Sequence, residues 1–248
     1  MELKFLGRGG AFLTEEGNTS AYFFDNRDLL LLDCGENIFG RVMKQNLLTK
    51  AENVNVLITH THPDHIGGLC SLIFYNYYAL GKVTNIILPT QAKYKDNIST
   101  ILKCLGCDEE LYSFVDETAI DNKYSSFSSV RFLPTKHAPH LDCYSIIFET
   151  PNGIVYYSGD TSNTKQIRSI IDNNEKIDKL FIETTTYDTP NNIHTNIDIL
   201  NAIVPPKVKP KVYCMHFNSQ ECIQKALDLG FNVVEVEQTK EPTKEITK

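Results

Sequence analysis

Nothing in the 248 residues reads as a membrane segment, since no apolar run approaches the ~20 residues that a spanning helix needs. The first ten residues, MELKFLGRGG, hold no basic segment followed by a long apolar stretch, so no signal peptide is expected. A basic excess is also missing. Lys and Arg number 24 against 31 Asp and Glu, a formal net charge of −7, which argues against a surface that grips a long phosphate backbone. It leaves room for a small anion held by metal ions, because each divalent cation adds two positive charges that a residue count omits. No repeat at a solenoid period and no Ser/Gly-rich linker divides the chain. Seven scattered cysteines, an odd number, do not form a disulfide framework and read as reduced thiols in a cytosol. Cys104 and Cys107 form one C-x-x-C pair without a partner pair and are expected to be ordinary thiols.

What is present is a substantial apolar content, 42%, enough to build a sizeable core. Strand-like and helix-like runs alternate. The strand runs are ELKFL (2–6), SAYFFD (20–25), DLLLLD (28–33), NVNVLI (53–58) and TNIILP (84–89), with helices expected near 36–47, 66–79 and 90–106. From 112 to 160 the pattern is mostly β, and PNG (151–153) marks a hairpin between CYSIIFET and GIVYYSG. Two β-rich halves, each followed by helices, suggest two sheets packed face to face with helices outside. Residues 1–237 are expected to form one α/β domain, followed by a polar tail, 238–248.

The chemistry concentrates in NVLITHTHPDHIGG, Asn55 to Gly68, where His60, His62, Asp64 and His65 fall within six residues. Imidazoles and a carboxylate at that spacing, between a strand end and a helix start, suit zinc or a similar divalent ion. A helix cap or a surface histidine accounts for one such residue, not for four. His137, His216 and Asp160 each lie at or just after a strand-like run, the position from which side chains converge at one sheet edge.

The order H-x-H-x-D-H, a lone His, SGDT and a late MHF resembles the metallo-β-lactamase fold superfamily of dinuclear hydrolases. LGRGGAF, GNTSAYF and LLLLDCGE resemble that superfamily's first strands. The resemblance implies an αββα four-layer sandwich and two divalent ions, zinc first, with manganese or iron as alternatives. It implies His60, His62 and His137 on one ion, Asp64, His65 and His216 on the other, and Asp160 between them. His137 is preferred to His140 because HAPHLDCYS resembles the stretch in which the ligand precedes a Tyr by seven residues, here Tyr144. His140 is left as an outer or surface histidine.

Two further stretches, LFIETTTYD (180–188) and HTNIDIL (194–200), resemble the RNase Z-like branch, in which a His matching His194 protonates the leaving oxygen or steadies the phosphate. The catalytic residues implied are Asp64, His194 and Glu183. The branch reads His-Glu-Ala-Thr where this chain reads ETTT, so Thr184 takes the position of the family carboxylate. The group that orients His194 is then Glu183 after a small shift, or absent. The tRNA-cutting members carry a long arm, in many of them between the lone His and the bridging Asp. Here His137 and Asp160 are 23 positions apart, a stretch filled by two strands and a hairpin.

An RNase Z-like centre without that arm resembles compact cyclic-nucleotide phosphodiesterases, including the anti-Pycsar proteins. That resemblance implies attack of a metal-bound hydroxide on a 3′,5′-cyclic nucleotide, giving the linear monophosphate, in the cytoplasm (the host cytosol for a phage-encoded chain). The alternatives are an RNase Z-like tRNA 3′-processing endonuclease, a thioester or lactone hydrolase, and a metal-dead binding module. The expected partners are a small anionic nucleotide and a second copy of the chain, not a membrane or long nucleic acid. The aromatic run LIFYNYYAL (72–80) is the expected homodimer face, with plain core and a base-stacking platform as its other readings.

Overall fold

The run Leu29–Leu32 has no polar alternate, so as a strand it needs cover on both faces. The computed structural model describes residues 1–90, 92–173 and 176–237, and in it this run forms most of β3 (Asp28–Leu32), fully buried from Leu29 on. Around β3 lie β1 (Lys4–Gly7), β2 (Ser20–Asp25), β4 (Asn53–Leu57), β5 (Thr84–Leu88) and β6 (Tyr112–Asp116) in one six-stranded sheet of order β1-β2-β3-β4-β5-β6. The first three strands pair antiparallel and β3 to β6 pair parallel.

The second sheet, order β12-β11-β10-β9-β8-β7, contains β7 (Ser129–Pro134), β8 (Tyr144–Thr150), β9 (Gly153–Tyr157), β10 (Ile177–Glu183), β11 (Val212–Met215) and β12 (Asn232–Val233). Its alternation is two-sided. Tyr144, Ile146 and Phe148, Val155 and Tyr157, Phe181 and Met215 face the first sheet in one core. Their neighbours Tyr156, Leu180, Ile182, Val212 and Cys214 join a second cluster with Ile167, Leu200, Cys222 and Ala226 from the helices Thr164–Asn173, Ile197–Ile203 and Gln220–Asp228. Period-two side chains thus bury both faces of the sheet. On the far side of the first sheet, the helices Ile38–Lys44 and Leu69–Phe74 contribute Ile38, Val42, Leu72 and Ile73 to the core. The result is the expected αββα layering.

Three local readings differ from expectation. The helix expected over 36–47 ends at Lys44 and restarts as Leu47–Lys50, with Asn46 between them at φ 55°. The single helix expected over 66–79 divides into Pro63–Ile66, Leu69–Phe74 and a π-helical turn, Tyr75–Ala79. Pro63, with its φ already near the helical value, starts the first of these, so Asp64 and His65 sit on a helical turn rather than in an open loop. PNG forms the β8–β9 connection as expected, with Gly153 at φ 126°. The tail 238–248 lies outside the described residues, and among those described no helix is long and apolar enough to cross a membrane.

Candidate metal centre

Strand direction brings the polar residues together. The C-terminal ends of β3 and β4 lead into Asp33 and His60, and those of β7, β9, β10 and β11 into His137, Asp160, Glu183 and His216. All lie at one edge of the two-sheet stack, where side chains can converge without breaking the strand ladders. Asp33 and His216 both have left-handed backbones, φ 60° and 56°. Such conformations are sparsely populated outside glycine and cluster at sites that need a side chain aimed off the strand. The turn carrying Asp64 and His65 is sewn to the β3 end: the Cys34 amide donates to the His65 carbonyl at 2.7 Å and the Gly68 amide to the Cys34 carbonyl at 2.8 Å. A Cβ on Gly35 would stand 2.0 Å from the Asp64 carbonyl oxygen, so only glycine allows that approach.

The seven predicted ligands fall into two groups that share one residue. His60, His62, His137 and Asp160 form the first, and Asp64, His65, His216 and Asp160 the second; within each, the ligand atoms lie within 4.8 Å of one another. In the first group His62 Nδ1 is 3.0 Å from His60 Nε2 and 3.1 Å from His137 Nε2. In the second, His216 Nε2 is 3.2 Å from Asp64 Oδ2 and 3.4 Å from His65 Nε2. Asp160 divides its oxygens between them. Oδ2 faces His137 at 3.5 Å and His60 at 3.9 Å, and Oδ1 faces His65 and His216, each at 3.3 Å.

The donor set fits divalent ions. Four ligands about 2.05 Å from a tetrahedral ion stand about 3.4 Å from each other, close to the spacings here. Asp160 Oδ1 is buried with no hydrogen-bond partner, a costly state for a carboxylate unless a cation faces it. The protonation balance agrees. Burial, with His65 and His137 as neighbours, pushes His60 well below its ordinary value toward the neutral, ligating form, and burial also lowers His62 and His137. Burial opposes charge on His216 too, but Asp160, Asp64 and Glu183 outweigh it and raise the ring to about 10. The carboxylates therefore call for positive charge at the second group, which a divalent ion supplies in place of protons.

A ring of outer contacts aims the ligands. His65 Nδ1 donates to Asp33 Oδ2 at 2.9 Å, and Asp33 also accepts from the Thr59 amide at 2.8 Å. His137 Nδ1 donates to the Ile193 carbonyl at 3.0 Å. These bonds fix which ring nitrogen turns toward the cluster. Asp33 is not among the residues that the sequence singles out, although it lies within LLLLDCGE. Its signal in the sequence is an acidic residue directly after the apolar run Leu29–Leu32.

Glu183 is fully buried and accepts hydrogen bonds from the Thr161 amide at 2.5 Å, the Thr195 amide at 3.3 Å and His194 Nδ1 at 2.9 Å. Of the two arrangements left open for the carboxylate beside His194, the geometry is that of the shifted Glu183. Thr184 instead points its hydroxyl at the Ile182 and Met215 carbonyls. Thr195 Oγ1 donates to the Thr161 carbonyl at 2.6 Å, which ties the segment holding His194 to the one holding Asp160. Burial works against charge on His194, but Glu183 and Asp160 outweigh it and raise the ring above its ordinary value.

Above the cluster opens a cavity of about 400 Å³, lined by His62, Asp64, His137, Asp160, His194 and His216 together with a largely apolar rim. No residue of 72–80 lines it. In that run Leu72, Ile73 and Asn76 are buried and Tyr78 is exposed, so it is part core and part surface rather than a platform over the site. His140 is exposed and outside both groups. Cys104 and Cys107 are free thiols, one exposed and one buried, and neither belongs to a metal-like group among the described residues.

The sequence model of the anti-Pycsar protein Apyc1 family matches residues 1–239. A relative from Bacillus phage 010DV004, described as an anti-Pycsar protein Apyc1, is 27% identical over 247 residues, covering 91% of this chain and 93% of its own. Among solved structures, the metallo-β-lactamase fold protein YhfI from Bacillus subtilis superposes with a TM-score of 0.69 at 17% identity, covering 96% of each chain. The short form of human tRNase Z superposes at 0.67 and 19% identity, covering 96% of this chain and 97% of that one. These likenesses show the fold: the αββα stack is a metallo-β-lactamase fold.

Proposed function

Because the chain belongs to the anti-Pycsar protein Apyc1 family, we propose that it is a dinuclear metal-dependent phosphodiesterase that opens the ring of small 3′,5′-cyclic nucleotides to give linear monophosphates. The observation that carries this reading is the His194–Glu183 pair, set beside a cluster in which one aspartate faces two ligand groups with opposite oxygens. His60, His62 and His137 would hold one ion, Asp64, His65 and His216 the other, and Asp160 both. When bound, two divalent ions would supply Lewis acidity to a phosphate and would acidify a water. Zinc suits the three-imidazole group, and the carboxylate-bearing group also suits manganese or iron.

The chain's own residues do the rest. His194 lines the cavity, and its Nδ1–H is held by Glu183, so Nε2 is the nitrogen left to serve a substrate oxygen. A ribose alkoxide is a poor leaving group and requires a proton as the P–O bond breaks. Glu183 and Asp160 favour the protonated form of His194. Thioester hydrolysis, which releases a thiolate, needs no such donor. The short β7–β8 connection, the −7 charge and a cavity of small-ligand size favour a small substrate over a polynucleotide. A cytoplasmic location and a homodimer built on the face around Tyr78 go with this reading, the latter checked by light-scattering mass.

The deciding experiment incubates zinc- or manganese-loaded protein with cAMP, cGMP, cCMP and cUMP, beside a precursor tRNA and a thioester. Conversion of a cyclic nucleotide to its linear monophosphate is expected. No turnover of any of the four, with a model phosphodiester cut readily, sinks the reading.

A further inference from the structure

Two aromatic side chains stand in the mouth of the cavity with no core to serve. Phe12 is 92% exposed and Tyr187 45% exposed, yet both line the space above the metal cluster. Elsewhere in the described chain the large aromatics are mostly buried, so an apolar ring left in water at a site mouth is a feature to be accounted for.

Neither ring is on a loose segment. Phe12 follows Gly9 and Gly10, whose backbone is pinned to the β11 end: the Gly10 amide donates to the Phe217 carbonyl at 2.8 Å, and the Phe217 amide to the Arg8 carbonyl at 2.9 Å. The same contact carries His216. Tyr187 is fixed from the other side of the site, where its carbonyl accepts from the side-chain amides of Asn192 and Asn196, each at 2.9 Å. The next residue back, Thr186, is held at 3.0 Å by Asn218.

Besides the exposed carboxylate of Glu36, the polar groups on the rim are few. Asn218 spends both ends of its amide on Thr186, and the Thr185 hydroxyl is buried with no partner. Gly10, Ala11, Leu13, Pro63 and Ile193 complete an apolar wall. A substrate whose phosphate lies on the metal cluster therefore projects its other end against flat, apolar surface, which suits the face of an aromatic ring system better than its hydrogen-bonding edge.

We propose that Phe12 and Tyr187 form the subsite for the base of the nucleotide, by stacking. The inference rests on the phosphodiesterase reading above and names residues for its substrate contact. It also places the stacking surface on two segments flanking the cavity instead of on the aromatic run 72–80.

The chain has no tryptophan, so Phe12→Trp introduces a single indole at the site mouth. In metal-loaded Phe12→Trp protein, indole fluorescence should be quenched by AMP and UMP and left unchanged by ribose 5-phosphate, which has the same phosphate and no base. Tyr187→Trp gives the same readout if the first variant folds poorly. In turnover, Phe12→Ala should lower kcat/KM for cAMP roughly five- to a hundredfold, the usual loss of a base–aromatic stack. It should leave the abasic cyclic ribose phosphate within about twofold, while Phe12→Tyr keeps cAMP near wild type.

Quenching without any cyclic-nucleotide turnover leaves the subsite standing and removes the proposed reaction. Turnover with equal loss on cAMP and the abasic ring, or with no quenching in either tryptophan variant, overturns the subsite and leaves the reaction. A change in light-scattering mass for Phe12→Ala with unchanged base dependence also overturns it and makes the ring a subunit contact.

Discussion

His194 donates its Nδ1 proton to Glu183 at 2.9 Å, and Glu183 is fully buried at the end of β10. A buried carboxylate with three donors holds the ring in one orientation and one tautomer. If His194 protonates the leaving ribose oxygen, His194→Ala should lower kcat on a cyclic nucleotide about 10²- to 10⁴-fold. Bis(p-nitrophenyl) phosphate, whose leaving group departs without a proton, should lose less than about tenfold. Equal losses on the two substrates would remove the acid role and leave His194 as a binding group.

The candidate ligands were legible because their spacing is local or sits at strand ends. Four of them fall in His60–His65, and His137, Asp160 and His216 each follow a strand-like run. The layering was legible for the same reason: period two in β8 and β9, and the unbroken apolar run Leu29–Leu32 in β3, state which strands have two covered faces. What escaped depends on contacts between distant segments. Whether Glu183 or Thr184 meets His194 is a matter of one residue of register at the end of β10, and such a slip turns a side chain to the opposite face. Asp33 lies far from His65 in sequence and touches it only because β3 and β4 run parallel. Phe12 lies in LGRGGAF with no local pattern that marks it as exposed, and only the fold leaves it in solvent.

Asp33 should matter through His65 and not by contact with an ion. It accepts from His65 Nδ1, Thr59 N and Thr59 Oγ1 and is wholly buried. Asp33→Asn keeps the shape and loses the charge that orients the ring. The expected loss is about 10- to 100-fold in affinity for the ion on Asp64, His65 and His216, with the His60, His62 and His137 group less affected. Chelator competition read by metal analysis should show one ion leaving well before the other. Simultaneous release would contradict this division.

Metal removal should cost stability as well as activity. Seven buried or part-buried ligands include two carboxylates, Asp64 and Asp160, with little solvent to offset their charge. An ion held at a hundredfold over its Kd contributes about 2.7 kcal/mol, which for a chain of this size is roughly 5–10 °C in Tm. Chelated protein should melt that much lower and recover on titration to two equivalents of zinc or manganese. Protein purified without chelator that holds less than one ion per chain would favour the metal-dead binding module instead.

The last prediction concerns stability away from the site. Asp25, at the β2 end, is 5% exposed and accepts from the Ser126 amide at 2.7 Å, the Ser126 hydroxyl at 2.5 Å and the Ser125 hydroxyl at 3.1 Å. Those bonds hold the 125–126 segment, just before β7 of the second sheet, against the hairpin of the first. Burial alone would push the Asp25 carboxyl up, but the Ser126 and Ser125 bonds together outweigh it and leave the group below its ordinary value. A folded-state value lower than the unfolded one contributes stability that is fully present above the ordinary carboxylate range, near pH 4, and is lost as pH falls through the lower folded value. Asp25→Ala should therefore cost about 1–3 kcal/mol at neutral pH, the loss of part-buried hydrogen bonds to a charged group. The gap between variant and wild-type urea midpoints should be constant from pH 8 to pH 6 and narrow below about pH 4. A gap that widens on acidification would mean that protonated Asp25, not the carboxylate, is the form the fold prefers.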